Sequence, residues 1–228
     1  SYALTILEEK VRNHTARVGV VGMGYVGLPT MVSAANAGFH VTGIDTNESR
    51  VASINAGESY IEDVASAILA GLVAAGKIST TTDYSRLAGL DVVLVCVPTP
   101  ITKNKEPDLR HIEAAIQSLA AHMKAGQLIV LQSTTFPGTT QEFVLPWLEE
   151  SNFQVGRDFC LAFALERIDP GNIQFDTRSV PKVVGGITGR CGEIAESFFS
   201  AFVDRVFSVS SPRVAEMTKL LENTFRSV

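Results

Sequence analysis

Runs of consecutive apolar residues alternate with helix-like segments along most of this chain, and no other feature restricts its fold as strongly. The runs have strand length but lack the polar–apolar alternation of a strand with one solvated face. Strands become apolar throughout when helices cover both faces of a parallel sheet, so we predict a doubly wound, mostly parallel α/β domain. Strands are predicted at 17–22, 40–45, 91–97, 127–132, 159–164 and 181–186, with helices at 48–55, 63–75, 108–123, 139–150 and 190–202.

The composition is that of a mildly acidic globular protein. The 228 residues are 46% hydrophobic and 19% charged, with a formal net charge of −5, which excludes intrinsic disorder. Without a block of Lys and Arg, we expect neither nucleic-acid nor membrane binding. No apolar run approaches the roughly 18 residues of a membrane-spanning helix. The three cysteines are irregularly spaced, which argues against a disulfide framework or a zinc cluster and favours a cytoplasmic location without a bound metal.

Three glycines follow the first predicted strand directly. Gly22, Gly24 and Gly27 have the spacing of a loop that turns tightly, lets a pyrophosphate approach the backbone and packs a helix closely on the strand. The N-terminus of that helix favours phosphate. Asp45 ends the second strand 18 residues after Gly27, where an acid binds a ribose hydroxyl and repels a 2′-phosphate. A Rossmann-like NAD site is predicted; the alternative is a glycine-rich turn in an α/β protein without a dinucleotide.

Loops with polar residues follow three further strands. The carboxyl ends of parallel strands share one sheet edge, where open α/β sheets bind ligands, so we expect these loops to form one site. Each loop alone also has an ordinary explanation, because prolines stop strands, hydroxyls cap helices and Glu–Arg pairs are usually solvated. The residues are Val97, Pro98, Thr99 and Pro100 after the third strand, Ser133, Thr134 and Thr135 after the fourth, and Glu166, Arg167 and Asp169 after the fifth.

The last helix presents a lysine and an amide on one face. Lys219 and Asn223 are four residues apart, although a surface lysine on an amphipathic helix explains this spacing more simply. Pro212 suits the first turn of a helix. We therefore divide the chain into a domain at 1–210 and the start of a long connecting helix at 211–228. Because the sequence stops inside this helix, we expect a fragment of a longer protein.

The motifs together resemble a known family. GMGYVGLP, GIDTNESRVASINAGES, VCVPTP, QSTTFPGTT, ERIDPGN, VPKVVGG and AEMTKLLENTFR occur in this order in the UDP-glucose/GDP-mannose dehydrogenases, over about residues 17–228. The resemblance implies oxidation of a nucleotide-sugar C6 alcohol to a carboxylate with two NAD and a covalent cysteine intermediate. ERIDPGN with TTFPGTT looks most like the UDP-N-acetylglucosamine 6-dehydrogenases of surface polysaccharide synthesis. UDP-glucose, UDP-N-acetylmannosamine and GDP-mannose remain alternative substrates.

The resemblance also implies roles for individual residues. Thr134 matches a threonine that helps to hold a catalytic water, and Glu166 matches a glutamate near the reacting carbon. Lys219, with Asn223 beside it, matches a lysine that stabilises oxyanion charge. Arg167, with Glu166, would contact the sugar. The positions implied for cofactor binding are Gly22, Gly24, Tyr25, Val26, Gly27, Asp45, Arg50, Val97, Pro98, Thr99, Ser133 and Thr134.

Two departures from the family pattern matter. Leu165 stands where the family usually has proline before the glutamate. The family's nucleophilic cysteine lies downstream of these residues, and we do not expect Cys96, Cys160 or Cys191 to replace it. The chain alone is therefore expected to bind NAD weakly and to catalyse little. The central and UDP-binding domains would lie in the full-length protein, which is expected to form a homodimer or larger homo-oligomer.

Two other functions remain open. The first is a nucleotide-binding module without catalysis even in its full-length parent. The second is an enzyme of the β-hydroxyacid dehydrogenase type, which shares the Rossmann domain and a lysine-bearing central helix. ERIDPGN and CVPTP disfavour this second alternative.

Overall fold

A single eight-stranded sheet forms the centre of the molecule. The computed structural model describes residues 1–166 and 178–226, of which residue 166 and residues 222–226 are described by their backbone alone. The strands are β1 (Arg17–Val21), β2 (His40–Ile44), β3 (Ile78–Thr81), β4 (Val92–Val95), β5 (Gln127–Leu131), β6 (Phe159–Glu166), β7 (Lys182–Gly186) and β8 (Val206–Val209). Their order in the sheet is β3-β2-β1-β4-β5-β6-β7-β8.

Helices connect and cover the strands. They are α1 (Tyr2–Arg12), α2 (Gly27–Asn36), α3 (Glu48–Asn55), α4 (Ser66–Ala74), α5 (Arg110–His122), α6 (Leu145–Glu149), α7 (Gly189–Ser200) and α8 (Pro212–Arg226). A 3-10 helix spans Tyr84–Gly89, and a π-helical turn at Thr140–Val144 precedes α6.

The sheet topology confirms the predicted doubly wound α/β fold. Every neighbouring pair of strands is parallel except β6 and β7, which are antiparallel. From β1 the chain moves outward to β2 and β3, then returns to place β4 on the other side of β1. This reversal opens a crevice beyond the carboxyl ends of β1 and β4, the usual ligand position in such sheets.

The hydrophobic core lies in two layers, one on each face of the sheet. Val18 and Val20 of β1 pack in the layer with α1, α2, α4 and α7, whereas Val21 packs in the layer with α5, α6 and α8. Successive strand residues point to opposite faces, so a strand covered on both sides is apolar throughout. All four residues of β4 are buried for this reason.

Several elements differ from the sequence predictions. We did not predict α1, β3 or β8, and the predicted helix at 63–75 begins at Ser66. Residues before it form a turn that buries Ile61 and Val64. The short β3, ISTT, lies at the sheet edge beside β2 alone. It therefore lacks the long apolar run of a central strand.

Candidate functional site

The loop between β1 and α2 has the shape of a phosphate-binding turn. Gly22 has a φ of 91°, and a Cβ there would lie 2.8 Å from the carbonyl oxygen of Cys96. A Cβ on Gly27 would collide with the carbonyl oxygen of Gly22. At Gly24, by contrast, a Cβ would meet nothing within 4 Å. The loop is thus closed towards the sheet and open towards the crevice, as a pyrophosphate requires.

Asp45 braces this loop from the end of β2. Its side chain is buried, and Oδ2 accepts a 2.9 Å hydrogen bond from the backbone N–H of Met23. Oδ1 accepts from the N–H of Asn47 at 2.9 Å, and the Arg50 guanidinium lies 3.6 Å from Oδ2. The buried carboxyl group is therefore satisfied by two backbone donors and a nearby cation.

A tyrosine, Tyr60, also holds the glycine loop through a hydrogen bond. The hydroxyl of Tyr60 donates to the carbonyl oxygen of Met23, and the Arg50 guanidinium carbon lies 5.6 Å from the centre of the Tyr60 ring. Burial raises the pKa of Tyr60 to about 12, so the phenol remains a donor. We did not single out Tyr60 from the sequence, which gives no spacing cue for it.

The crevice forms a cavity of about 650 Å³ at the carboxyl edge of the sheet. Of the twelve positions predicted to bind cofactor, all except Gly27 line it, because Gly27 packs α2 against β1 beneath the loop. These eleven are Gly22, Gly24, Tyr25, Val26, Asp45, Arg50, Val97, Pro98, Thr99, Ser133 and Thr134. Their individual contacts with a dinucleotide stay predictions.

One wall of the cavity was not predicted. The first turns of α5 contribute His111, Ala114, Ala115 and Ser118, and Tyr84 of the 3-10 helix joins them. No motif marks these residues. Their only sequence signal is that their helix follows the third predicted strand, whose carboxyl end borders the site.

The loops after β4 and β5 are hydrogen-bonded to one another. The Ser133 hydroxyl donates to the carbonyl oxygen of Val97 at 2.7 Å, and the Thr99 hydroxyl donates to the carbonyl oxygen of Thr134. These bonds turn two predicted site loops into one rigid rim of the cavity.

Helix α8 brings Lys219 to this rim. The helix packs against β6, β7 and the π-helical turn, and it buries Ala215 and Glu216 while Lys219 is half-buried. The Lys219 ammonium donates a 2.7 Å hydrogen bond to the Thr134 hydroxyl. Two residues that are 85 positions apart in sequence thereby meet beside the cavity. A lysine that only covered the surface of an amphipathic helix would not explain this contact.

Glu216 is a further group at this point that we did not predict. It is 1% exposed, and its Oε2 accepts a 3.4 Å hydrogen bond from the Thr135 hydroxyl. Burial raises its pKa to about 7, more than the hydroxyls and amides around it lower it. Its only sequence signal is its place one helical turn before Lys219.

The loop that carries Thr134 is also anchored by aromatic rings. Phe136 meets Phe143 edge-on with ring centres 5.7 Å apart, and Phe143 lies 6.1 Å from Trp147. These contacts connect the loop to α6.

The remaining predicted residues are placed less completely. Glu166 ends β6 opposite Lys182 of β7, and Asn223 lies in α8 one turn after Lys219. Arg167 and Asp169 lie outside the described residues.

The three cysteines, Cys96, Cys160 and Cys191, are buried. All three belong to the core layer that also contains α1, and Cys96 in addition lines the cavity beside Gln132. A hydrogen bond with Cys191, together with burial, raises the pKa of Cys160 well above its ordinary value. Cys160 and Cys191 therefore stand as core residues.

Within residues 1–166 and 178–226, no cluster of three or more His, Cys, Asp or Glu side chains has the arrangement to hold a metal ion. No helix among the same residues is long and apolar enough to cross a membrane.

The family profile of the UDP-glucose/GDP-mannose dehydrogenase NAD binding domain matches residues 16–203. The UDP-N-acetyl-D-mannosamine dehydrogenase of Pyrococcus horikoshii is 34% identical over 213 residues, 93% of this chain and 51% of that protein. The UDP-N-acetyl-D-glucosamine 6-dehydrogenase of Pseudomonas aeruginosa is 35% identical over 214 residues, 93% of this chain and 50% of that protein.

The fold of this chain is similar to the solved structure of UDP-D-ManNAc dehydrogenase from P. horikoshii. The TM-score is 0.86 and the sequence identity 35%, over 92% of this chain and 50% of that chain. The chain thus spans about half the length of the curated relatives it matches.

The geometry fits the cofactor that these comparisons indicate. The space above Gly24 admits a pyrophosphate at the N-terminus of α2, and the buried acid Asp45 stands at the end of β2. With the match over residues 16–203, these features lead to one conclusion. The chain belongs to the UDP-glucose/GDP-mannose dehydrogenase family and carries its NAD-binding domain.

Proposed function

We propose that this chain is the NAD-binding part of a nucleotide-sugar 6-dehydrogenase that oxidises the C6 alcohol of UDP-N-acetylglucosamine to a carboxylate, in surface polysaccharide synthesis. The observation that carries the proposal is the 2.7 Å contact between Lys219 and Thr134 beside the glycine-loop cavity. A nucleotide-binding module has no need for an ammonium group at this position. An enzyme that develops negative charge on the sugar oxygen does.

The residues of this chain divide into binding and chemical roles. The backbone at Gly24 and the N-terminus of α2 bind the pyrophosphate, and Asp45 binds the adenosine ribose. When bound, NAD accepts hydride from the sugar carbon. The Lys219 ammonium stabilises the oxygen of that carbon, and the Thr134 hydroxyl, which Lys219 already orients, holds a water near it.

The remaining roles rest on the family resemblance. Glu166 acts near the reacting carbon, Arg167 contacts the sugar and Asn223 assists Lys219. The cysteine nucleophile does not come from this chain, because Cys160 and Cys191 are core residues and Cys96 is a buried side chain next to Gln132. We therefore expect the 228 residues alone to bind NAD without turning over sugar.

The choice of sugar rests on the sequence ERIDPGN together with TTFPGTT. The relatives do not discriminate, since those named for N-acetylmannosamine and N-acetylglucosamine are 34% and 35% identical. UDP-glucose and GDP-mannose are the further alternatives.

The test is NADH formation, followed by absorbance, by the full-length protein with a panel of UDP- and GDP-sugars. We expect the highest kcat/KM with UDP-N-acetylglucosamine, and a higher value with another sugar would overturn the substrate assignment. Lys219→Ala should lower kcat by about 100-fold or more if its charge acts only in the transition state. An unchanged kcat would remove Lys219 from the chemistry, and a full-length protein that forms no NADH with any sugar would favour the non-catalytic module. The matched control is Lys77→Ala, because Lys77 directly precedes β3 and does not line the cavity.

A further inference from the structure

Two neighbouring threonines connect one loop to two neighbouring positions of α8. Thr134 accepts a hydrogen bond from Lys219, and Thr135 donates one to Glu216. Lys219 and Glu216 are three residues apart, so their side chains are neighbours on the helix surface. The position of Lys219 beside the cavity is therefore tied to the contacts of Glu216.

Glu216 is an unusual residue for this position. Its side chain is 1% exposed, and helix α8 faces the core layer there with Ala215. Burial of a carboxylate is costly unless its oxygens are satisfied. Among the described residues, the direct hydrogen bond to Glu216 is the long one from Thr135, and Oε1 has no partner in hydrogen-bond geometry, although the backbone amides of Thr139 and Thr140 lie near enough to lower the pKa of the carboxyl.

Within the part of the chain that the structure describes, the neighbouring hydroxyl of Thr140 is also buried and has no partner in hydrogen-bond geometry. Thr140 is one of the groups that influence the titration of Glu216, so the two lie close together. A protonated carboxyl could donate to the Thr140 hydroxyl and satisfy both atoms. An ionised carboxylate would instead accept from the threonine hydroxyls and attract the nearest cation.

The charged groups around Glu216 identify that cation. On the π-helical turn, Glu142 is an exposed residue that pairs with Arg213 of α8 at 3.2 Å. On β7, Lys182 faces the opposite layer, where its ammonium lies over the ring of Phe199. Glu166 ends β6, and β8 carries no charged residue. Among the cations of the described residues, Lys219 is therefore the one best placed to respond to Glu216.

We propose that Glu216 is a positioning residue, whose neutral form leaves the Lys219 ammonium on the Thr134 hydroxyl and whose ionised form draws that ammonium away. The neutral carboxyl donates a hydrogen bond to the Thr140 hydroxyl, at the start of the π-helical turn. The effect of Glu216 on kcat rests on the proposed dehydrogenase function. The change in the contact between Lys219 and Thr134 does not. Since burial places the pKa of Glu216 at about 7, the two forms exchange within the physiological range.

The experiment uses the 228-residue chain with ¹³C-methyl threonine, followed by NMR between pH 5.5 and 8.5. We expect the Thr134 methyl resonance to titrate with one midpoint near neutral pH. In Glu216→Gln, which keeps the shape but cannot ionise, the resonance should stay at its low-pH position. The matched control is Glu142→Gln, an exposed acid that also contacts α8, and it should titrate as the unaltered chain does.

Two results would overturn the proposal: a Thr134 resonance that does not move in the unaltered chain, or one that titrates equally in Glu216→Gln. If Glu216→Gln does not fold, Thr135→Val removes the hydrogen bond to Glu216 without altering the acid, and it should shift the midpoint of the Thr134 resonance. An unshifted midpoint contradicts the proposal.

The catalytic consequence is measured in the full-length protein. The kcat profile should contain an ionisation near neutral pH that Glu216→Gln lacks, while KM for NAD changes by less than about twofold because Glu216 does not line the cavity. An identical profile in Glu216→Gln would refute the catalytic role. A full-length protein that forms no NADH with any sugar would refute the proposed function, but it would leave the NMR result standing.

Discussion

A single carboxylate, Asp45, fixes the shape of the glycine loop. Its two oxygens accept backbone hydrogen bonds from Met23, in the glycine loop, and from Asn47, two residues after Asp45 itself. We expect the same carboxylate to face the position where NADP would carry its extra phosphate, so that NAD binding and cofactor choice both depend on one side chain.

Asp45→Asn should weaken NAD binding and reduce the preference for NAD over NADP. The amide keeps an acceptor but loses the charge that strengthens its hydrogen bonds, worth about 1.5–3 kcal/mol per bond to a charged group. We expect the dissociation constant for NAD, measured by calorimetry on this chain, to rise by about tenfold or more. Glu48→Gln removes an exposed acid three residues away and should leave the dissociation constant unchanged.

Gly24 and Gly27 should respond oppositely to alanine. A Cβ at Gly24 enters open space, so Gly24→Ala should fold normally but obstruct the pyrophosphate. A Cβ at Gly27 collides with the Gly22 carbonyl, so Gly27→Ala should lose about 2 kcal/mol or more of stability through backbone displacement. Thermal melting followed by NAD titration separates the two effects. Equal melting temperatures for the two variants would contradict this account of the loop.

At the scale of elements, the sequence predicted the central strands and the glycine loop, because their signals are local. The apolar run of β4 and the Gly22–Gly27 spacing are examples. The edge strand β3, with Ser79 and two threonines, gave no such signal. The wall from α5 and the buried Glu216 could not be predicted, because both depend on how distant segments pack. For Lys219, spacing favoured a surface residue, whereas the structure places its ammonium on the Thr134 hydroxyl; the catalytic role implied by the family resemblance stays a prediction.

Helix α8 should make the stability of this chain depend on pH. The pKa of Glu216 is raised in the folded state, from an ordinary 4.5 to about 7. Its contribution to stability is therefore fully present below pH 4.5 and lost as the pH rises through about 7. At 1.36 kcal/mol per pKa unit, the loss amounts to roughly 3 kcal/mol.

Urea unfolding between pH 5 and 8 measures this dependence. The free energy of unfolding of the unaltered chain should fall relative to that of Glu216→Gln as the pH rises to about 7, and the difference should level off above that pH. The Glu142→Gln variant should follow the unaltered chain. Parallel curves for the unaltered chain and Glu216→Gln would show that burial does not raise the pKa of Glu216.

At the scale of the whole molecule, the parallel sheet collects the loops after β1, β4 and β5 at one edge, and α8 adds Lys219 there. One face of α8 packs against the sheet and carries Lys219 to this edge.

The other face of α8 leaves large apolar side chains 42–57% exposed, namely Val214, Met217, Leu220 and Leu221. Such a stripe is typical of a surface that is covered in an assembly.

We predict that this stripe contributes to a homo-oligomer of the full-length protein. Replacing Met217 and Leu221 together by Glu should dissociate it, as measured by light scattering after size-exclusion chromatography, because charges are costly in a buried interface. Ile68→Glu alters an apolar residue of similar exposure on α4 and should leave the assembly intact. An unchanged mass for the double variant would place the interface elsewhere.

The aromatic contacts behind the Thr134 loop make its movements visible to spectroscopy. Trp147 is the one tryptophan of the chain, and Phe143 joins it to Phe136 of the loop. Selective excitation of the indole therefore reports on the environment of this loop without any attached dye. The chain therefore carries its own optical probe on α6, one aromatic ring away from the loop that meets Lys219.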